Sequence, residues 1–146
     1  MTLPGSVYHL GDYAFAFCTK LPVVTLPSTL SYLGGFAFYN CTSLRTITIP
    51  ASVSTMGGGI FQNCVMTGVT SLIRTPKNIY ENTFMQDTYD NVDLGVPSGT
   101  ADQYARCKGW KKFRNIGGTT PTDYYLYLDT TNISATSSAA TRTVNV

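Results

Sequence analysis

The chain has 146 residues, 12% of them charged, with ten Lys and Arg against eight Asp and Glu and a net charge of +2. That length allows one domain, or one domain and a fragment of a second, and a hydrophobic share of 43% excludes the low-hydrophobicity, high-charge class of disordered chains. So small a net charge gives no global pull on nucleic acid or acidic lipid, and no run approaches the ~20 apolar residues of a membrane helix.

From Met1 to Ile73 the only charged side chains are Asp12, Lys20 and Arg45. A surface of Thr, Ser, Gly, Asn and Tyr suggests an extracellular, β-rich protein. The same stretch repeats itself without gaps every 23 residues. The first unit runs Leu3, Pro4, Val7, Leu10, Gly11, Ala14, Phe15, Cys18 and Leu21. The second runs Leu26, Pro27, Leu30, Leu33, Gly34, Ala37, Phe38, Cys41 and Leu44. The third runs Ile49, Pro50, Val53, Met56, Gly57, Ile60, Phe61 and Cys64. A fourth, degenerate unit is read at Pro76, Ile79, Thr83 and Phe84, after a slip in register beyond Cys64. A fixed period of 20–50 residues is the signature of stacked repeats, in which one unit cannot bury its apolar face alone.

Each unit reads as one turn of a solenoid. The alternating runs Val24-Thr25-Leu26 and Ile47-Thr48-Ile49 predict short strands. Pro27 and Pro50 end them, because proline cannot donate to the ladder. Leu33-Gly34 and Met56-Gly57 predict a turn, with glycine available for positive φ. Ala-Phe then opens a short helical or irregular return, and Cys-x-x-Leu leads to the next strand. Phe15, Phe38 and Phe61 become one internal column and Cys18, Cys41 and Cys64 another, the thiols serving as small buried hydrophobes; disulfides between stacked neighbours stay open. Met1 falls inside a repeat and shows no basic start or apolar h-region, so the natural protein is expected to begin earlier.

Beyond the fourth unit, Val92-Asp93-Leu94-Gly95-Val96 predicts a last strand. Ala101 to Lys108 predicts a short helix, with Tyr104 and Trp110 covering the last repeat; the cap spans about 92–116. Gly117-Gly118-Thr119-Thr120-Pro121-Thr122 reads as a linker, placed at 117–123. Residues 124–146 read as a truncated β segment, with strands at Tyr124–Asp129 and from Arg142. The fold class expected is α/β: a repeat solenoid over 1–116 with short parallel strands and an irregular or short helical return, then the fragment.

Candidate chemistry is sparse. His9 is the lone histidine, so no His-based metal cluster can form, and no C-x₂-C pair signals zinc; no metal and no cofactor are expected. No G-x-S-x-G, P-loop or H-E-x-x-H occurs, and Gly57-Gly58-Gly59 lacks the Lys-Ser/Thr of a phosphate loop. No catalytic residue is assigned. Arg106, Lys108, Lys111, Lys112 and Arg114 form the one basic cluster, read as a solvated cap face rather than a nucleic-acid site.

The repeat Leu-Pro-x-x-Leu-x-x-Leu-Gly-x-x-Ala-Phe-x-x-Cys-x-x-Leu resembles the BspA-type, or treponemal-class, leucine-rich repeat. Val96-Pro97-Ser98-Gly99-Thr100 followed by Tyr104, Trp110, Phe113 and Asn115-Ile116 is similar to the end module of such arrays in Bacteroidetes surface proteins. Asn132-Ile133-Ser134-Ala135-Thr136 resembles the opening of a BACON-like or bacterial Ig-like domain. The resemblance implies a non-enzymatic interaction or adhesion module on the bacterial cell surface, with host-matrix or bacterial proteins as partners. A glycan-handling surface protein and a ligand-free spacer are the alternatives. In leucine-rich arrays the residues flanking the inward ones face the concave side. Here those are Val23, Thr25, Thr46 and Thr48, then by alignment of Pro76 with Pro50 Leu72 and Arg74, then Asp93 and Gly95. They predict a flat, mostly uncharged surface for a protein or glycan.

Overall fold

The computed structural model describes residues 1–117; the linker over 117–123 and the β segment over 124–146 lie, but for Gly117, outside the described residues. Strands β1 (His9–Leu10), β2 (Tyr32–Leu33) and β4 (Thr55–Met56) form one parallel sheet in the order β1-β2-β4. Strands β3 (Thr46–Ile49), β5 (Gly68–Ser71), β6 (Leu94–Gly95) and β7 (Ile116–Gly117) form a second parallel sheet in that order. An isolated parallel bridge joins Thr2 to Thr25. Equivalent residues of successive units therefore lie side by side: Tyr32 pairs with His9 and with Thr55, one repeat away in each direction. We call each such turn of chain a coil, the first being residues 3–25.

The core column is aromatic. Phe15 stacks on Phe38 with ring centroids 5.5 Å apart, Phe38 on Phe61 at 5.7 Å and Phe61 on Phe84 at 5.1 Å, all with rings within 12° of parallel. Leu30, Leu33, Ala37, Phe38, Cys41 and Leu44 are wholly buried. Their first-coil counterparts Val7, Phe15, Cys18 and Leu21 are half-buried and Ala14 is exposed. Cys41 and Cys64 donate their thiols to the carbonyls of Phe15 and Phe38, each 3.1 Å away in the preceding coil. All four cysteines are free thiols. Burial pushes the Cys64 thiol up to about 12 and also raises that of Cys41, because the interior disfavours the thiolate.

The structure corrects the glycine reading. Leu33 and Met56 lie in strands rather than in turns, and neither Gly34 nor Gly57 has positive φ. The constraint is contact between coils: a Cβ on Gly34 would sit 2.5 Å from the Gly11 carbonyl carbon, and one on Gly57 2.4 Å from the Gly35 nitrogen. The left-handed positions fall elsewhere and also repeat, at Tyr13, Phe36 and Gly59, and again at Phe17, Asn40 and Asn63. These bends make the return irregular rather than helical. The amides of Tyr13, Phe15 and Phe17 donate forward to the carbonyls of Gly35, Ala37 and Tyr39, and those of Phe36, Phe38 and Asn40 to Gly58, Ile60 and Gln62.

Register after Cys64 differs from the proline alignment. β5 pairs Thr46 with Gly68, Ile47 with Val69, Thr48 with Thr70 and Ile49 with Ser71. Gly68 and Thr70, not Leu72 and Arg74, therefore hold the positions of Thr46 and Thr48, because the inward–outward alternation of Val69-Thr70-Ser71 sets the strand and Pro76 lies in the connection beyond it. Helices α1 (Gln86–Asn91) and α2 (Ala101–Arg106) and a 3₁₀ turn at Trp110–Lys112 follow. Phe84 meets Tyr89 and Phe113 edge-on at 5.8 and 5.2 Å. Tyr104, Trp110 and Phe113 are buried against this end. The Tyr104 hydroxyl lies 2.7 Å from Ser71 Oγ and donates to the Ile73 carbonyl at 2.6 Å.

Candidate interaction surface

Outward residues of the second sheet alternate with the buried ones. Thr46 and Thr48 are exposed while Ile47 and Ile49 are buried, as the period of two requires. Val23 and Thr25 are exposed one coil earlier, beside buried Val24 and Leu26. Among the described residues, no backbone hydrogen bond crosses from Val23–Leu26 to Thr46–Pro50: Thr25 pairs back with Met1 and Leu3, and β3 pairs forward with β5. At this break lies a shallow groove of about 380 Å³. Val23, Thr25, Thr46, Thr48, Pro50 and Leu72 line it, with Val24, Leu26, Ser28 and Ala51. None of these side chains carries a charge. Parallel alternation leaves the main-chain groups of Thr46 and Thr48 turned toward the break, since the carbonyls of Arg45 and Ile49 serve the other side.

The predicted residues thus separate. Val23, Thr25, Thr46, Thr48 and Leu72 come together, Leu72 reaching the groove from just past β5. Arg74 is exposed beyond the strand and does not line it. Asp93 precedes β6, in register with Gly68, and pairs with Arg114 Nε at 2.8 Å. Hydrogen bonds from Asn115 and Arg114 hold its carboxyl below the usual carboxylate range. Pro50, Ala51 and Ser28 enter the groove without a signal in the repeat, because a missing strand pairing leaves no mark on local residue choice.

The other candidates have local partners. His9 stacks on Tyr32 with ring centroids 4.2 Å apart. Within the basic cluster Lys112 lies 4.6 Å over the Tyr89 ring and donates to the Glu81 carbonyl, while Arg106, Lys108 and Lys111 face solvent. Among the described residues no three His, Cys, Asp or Glu side chains come together to hold a metal, and no helix is long and apolar enough to cross a membrane.

Comparison with known proteins follows the same lines. The family model described as BspA type leucine-rich repeat region matches residues 1–107. A search of the curated proteins found no match.

Proposed function

Because the chain belongs to the BspA-type leucine-rich repeat family, we propose that residues 1–117 form a short leucine-rich solenoid acting as a protein-adhesion module on the bacterial cell surface. Leucine-rich repeats generally mediate protein interaction, the family is typically non-enzymatic, and BspA-type proteins are generally surface-associated. The observation that carries the reading is the uncharged groove along the β3 edge of the second sheet, with Val23, Thr25, Thr46, Thr48 and Leu72 along it. Small β-branched side chains leave the backbone reachable, and unpaired strand edges accept extended peptide by main-chain hydrogen bonding. A protein partner fits better than a glycan, since no aromatic or charged side chain of the kind that grips a sugar lines this groove.

The natural host is proposed to be a Bacteroidetes surface protein, with the BACON-like segment as the start of a following domain. The test sets the whole chain against immobilised extracellular-matrix proteins and a glycan array. A matrix protein bound by the native chain and weakened about tenfold or more by Thr48→Arg, at unchanged circular dichroism, supports the reading. Binding confined to glycans favours the glycan-handling alternative, and silence on both surfaces favours the spacer.

A further inference from the structure

The first sheet stops at β4, although the aromatic column continues from Phe61 to Phe84 in the coil that follows. In the earlier coils each strand of this sheet is covered by the next. The Tyr8 and Leu10 carbonyls accept amides from the second coil, and the Ser31 and Leu33 carbonyls accept them from the third. Their counterparts Ser54 and Met56 accept none among the described residues. Where a fourth strand would lie, the chain from Ile73 to Ile79 runs past without pairing, and Ile79 gives its amide to the Lys108 carbonyl at 3.0 Å. The space so left is a cavity of about 180 Å³ between the third coil and the closing region. Its floor is apolar, from buried Val53, Met56, Ile79 and Trp110. One wall offers acceptors. Beside the two carbonyls, Ser52 and Ser54 spend their hydroxyl protons on the Leu30 and Ser31 carbonyls, which leaves oxygen lone pairs free. The other wall offers donors: the Lys77 ammonium and the Asn78 side-chain amide, whose oxygen already accepts the Lys108 N–H at 2.8 Å. Trp110 Nε1 fixes that wall by donating to the Lys77 carbonyl at 3.1 Å.

We propose that this cavity binds one pyranose ring, the terminal sugar of a glycan. None of Val23, Thr25, Thr46, Thr48 and Leu72 lines it, so it stands apart from the groove along β3 and does not rest on the adhesion reading. Its volume is that of about six waters at ~30 Å³ each, room for a single ring and too little for a stretch of peptide. An added peptide strand would also find an edge only two residues long and gain few main-chain bonds. A sugar ring matches both features of the site: its C–H faces are apolar and suit the floor, and each hydroxyl can donate to one wall and accept from the other. A metal ion is not matched, because no carboxylate, imidazole or thiol lines the cavity. An anion would face the row of carbonyl oxygens.

Trp110 is the only tryptophan of the chain and forms part of the floor, so its emission reports occupancy. The experiment titrates the whole chain with glucose, galactose, mannose, fucose and N-acetylglucosamine, and with sorbitol as the open-chain control, followed by tryptophan fluorescence and amide NMR. At least one ring is expected to saturate the site with a Kd of about 1–10 mM, the range open to so small a ligand, and sorbitol is not. Thr75→Tyr fills the cavity from an exposed position and is expected to abolish saturation. Lys77→Met removes the ammonium and keeps the stem, and is expected to weaken binding about tenfold, the loss of one charged hydrogen bond. Both variants should keep the native melting curve, and Thr48→Arg, in the groove, should bind sugar as the native chain does. The absence of a saturable response to every ring overturns the proposal. So does a response shared by sorbitol, one that survives Thr75→Tyr, or one that Thr48→Arg removes.

Discussion

The first three coils and the closing region after Phe84 solve opposite problems. In the coils, like lies on like: Phe rings stack within 12° of parallel, glycine meets glycine, and thiols donate to the carbonyl one coil back. In the closing region the strands still pair in register, β6 with β5 and β7 with β6, but the side-chain columns end. Tyr89 meets Phe113 at 73° and Tyr104 meets Trp110 at 76°, helices interrupt the strands, and an ion pair joins Asp93 to Arg114. Translation down the stack makes rings at equivalent positions parallel. An end freed from that rule turns its rings edge-on, the geometry that aromatic pairs favour together with offset stacking, and presents a solvated outer face. The scarcity of charge before Ile73 thus belongs to the stacked part alone.

The most disruptive way to break the comparison is to empty the column. Phe38→Ala removes a wholly buried ring with neighbours above and below, and is expected to cost about 3–5 kcal/mol, read by chemical denaturation. A loss below about half a kcal/mol would contradict the stacked column. In the closing region, Tyr104→Phe deletes the hydroxyl that joins Ser71 to the Ile73 carbonyl and is expected to cost about 1–2 kcal/mol. Tyr89→Phe is its control: that hydroxyl is buried without a hydrogen-bond partner among the described residues, so its removal should not lower stability. If both changes cost the same, the Ser71–Tyr104 link does not hold the end in place.

Two smaller effects sharpen the contrast within the coils. Native protein should react with a thiol reagent slowly at Cys41 and Cys64, which are buried with raised thiol pKa values, and faster at half-buried Cys18 and Cys107. All four should react after unfolding. The linkage has a sign: a thiol whose folded pKa is raised favours the native state less as pH climbs above the unfolded value, so stability should fall on the alkaline side of about 8.5. Phe17→Asn should stabilise by about 0.5–1 kcal/mol, because Phe17 holds a left-handed conformation that asparagine tolerates and that Asn40 and Asn63 already occupy one and two coils later. Destabilisation would mean that the Phe17–Tyr39 edge contact, at 5.4 Å, outweighs the backbone term.

Particular residues show how far the fold could be read before it was seen. The Phe and Cys columns are legible in the sequence because their spacing is strict and each position stacks on its equivalent one coil away. The short helix at Ala101–Arg106 was legible from its position after Pro97-Ser98-Gly99-Thr100. The glycine contacts were misread, since a glycine kept for close approach looks in sequence like one kept for positive φ. At Tyr13, Phe17 and Phe36 the left-handed conformation is invisible in the sequence because such residues rarely adopt it, whereas Asn40, Asn63 and Gly59 suit it. Leu72 and Arg74 do not take the positions of Thr46 and Thr48 because the alternation of Val69, Thr70 and Ser71, not Pro76, sets the strand. The groove was half legible: its outward threonines follow from the period of two, whereas the break that forms it depends on strands that do not pair.

The central claim is that successive coils lie in direct backbone contact, each glycine of the column leaving room for its neighbour. The most direct measurement is the pair Gly34→Ala and Gly11→Ala, compared by denaturant unfolding. A methyl group at Gly34 meets the backbone of Gly11 and Asp12 within 2.6 Å, whereas one at Gly11 meets nothing within 4 Å. Gly34→Ala is expected to lose at least about 1–3 kcal/mol, and Gly11→Ala to stay within about half a kcal/mol of the native chain. Equal effects at the two positions would contradict the stack.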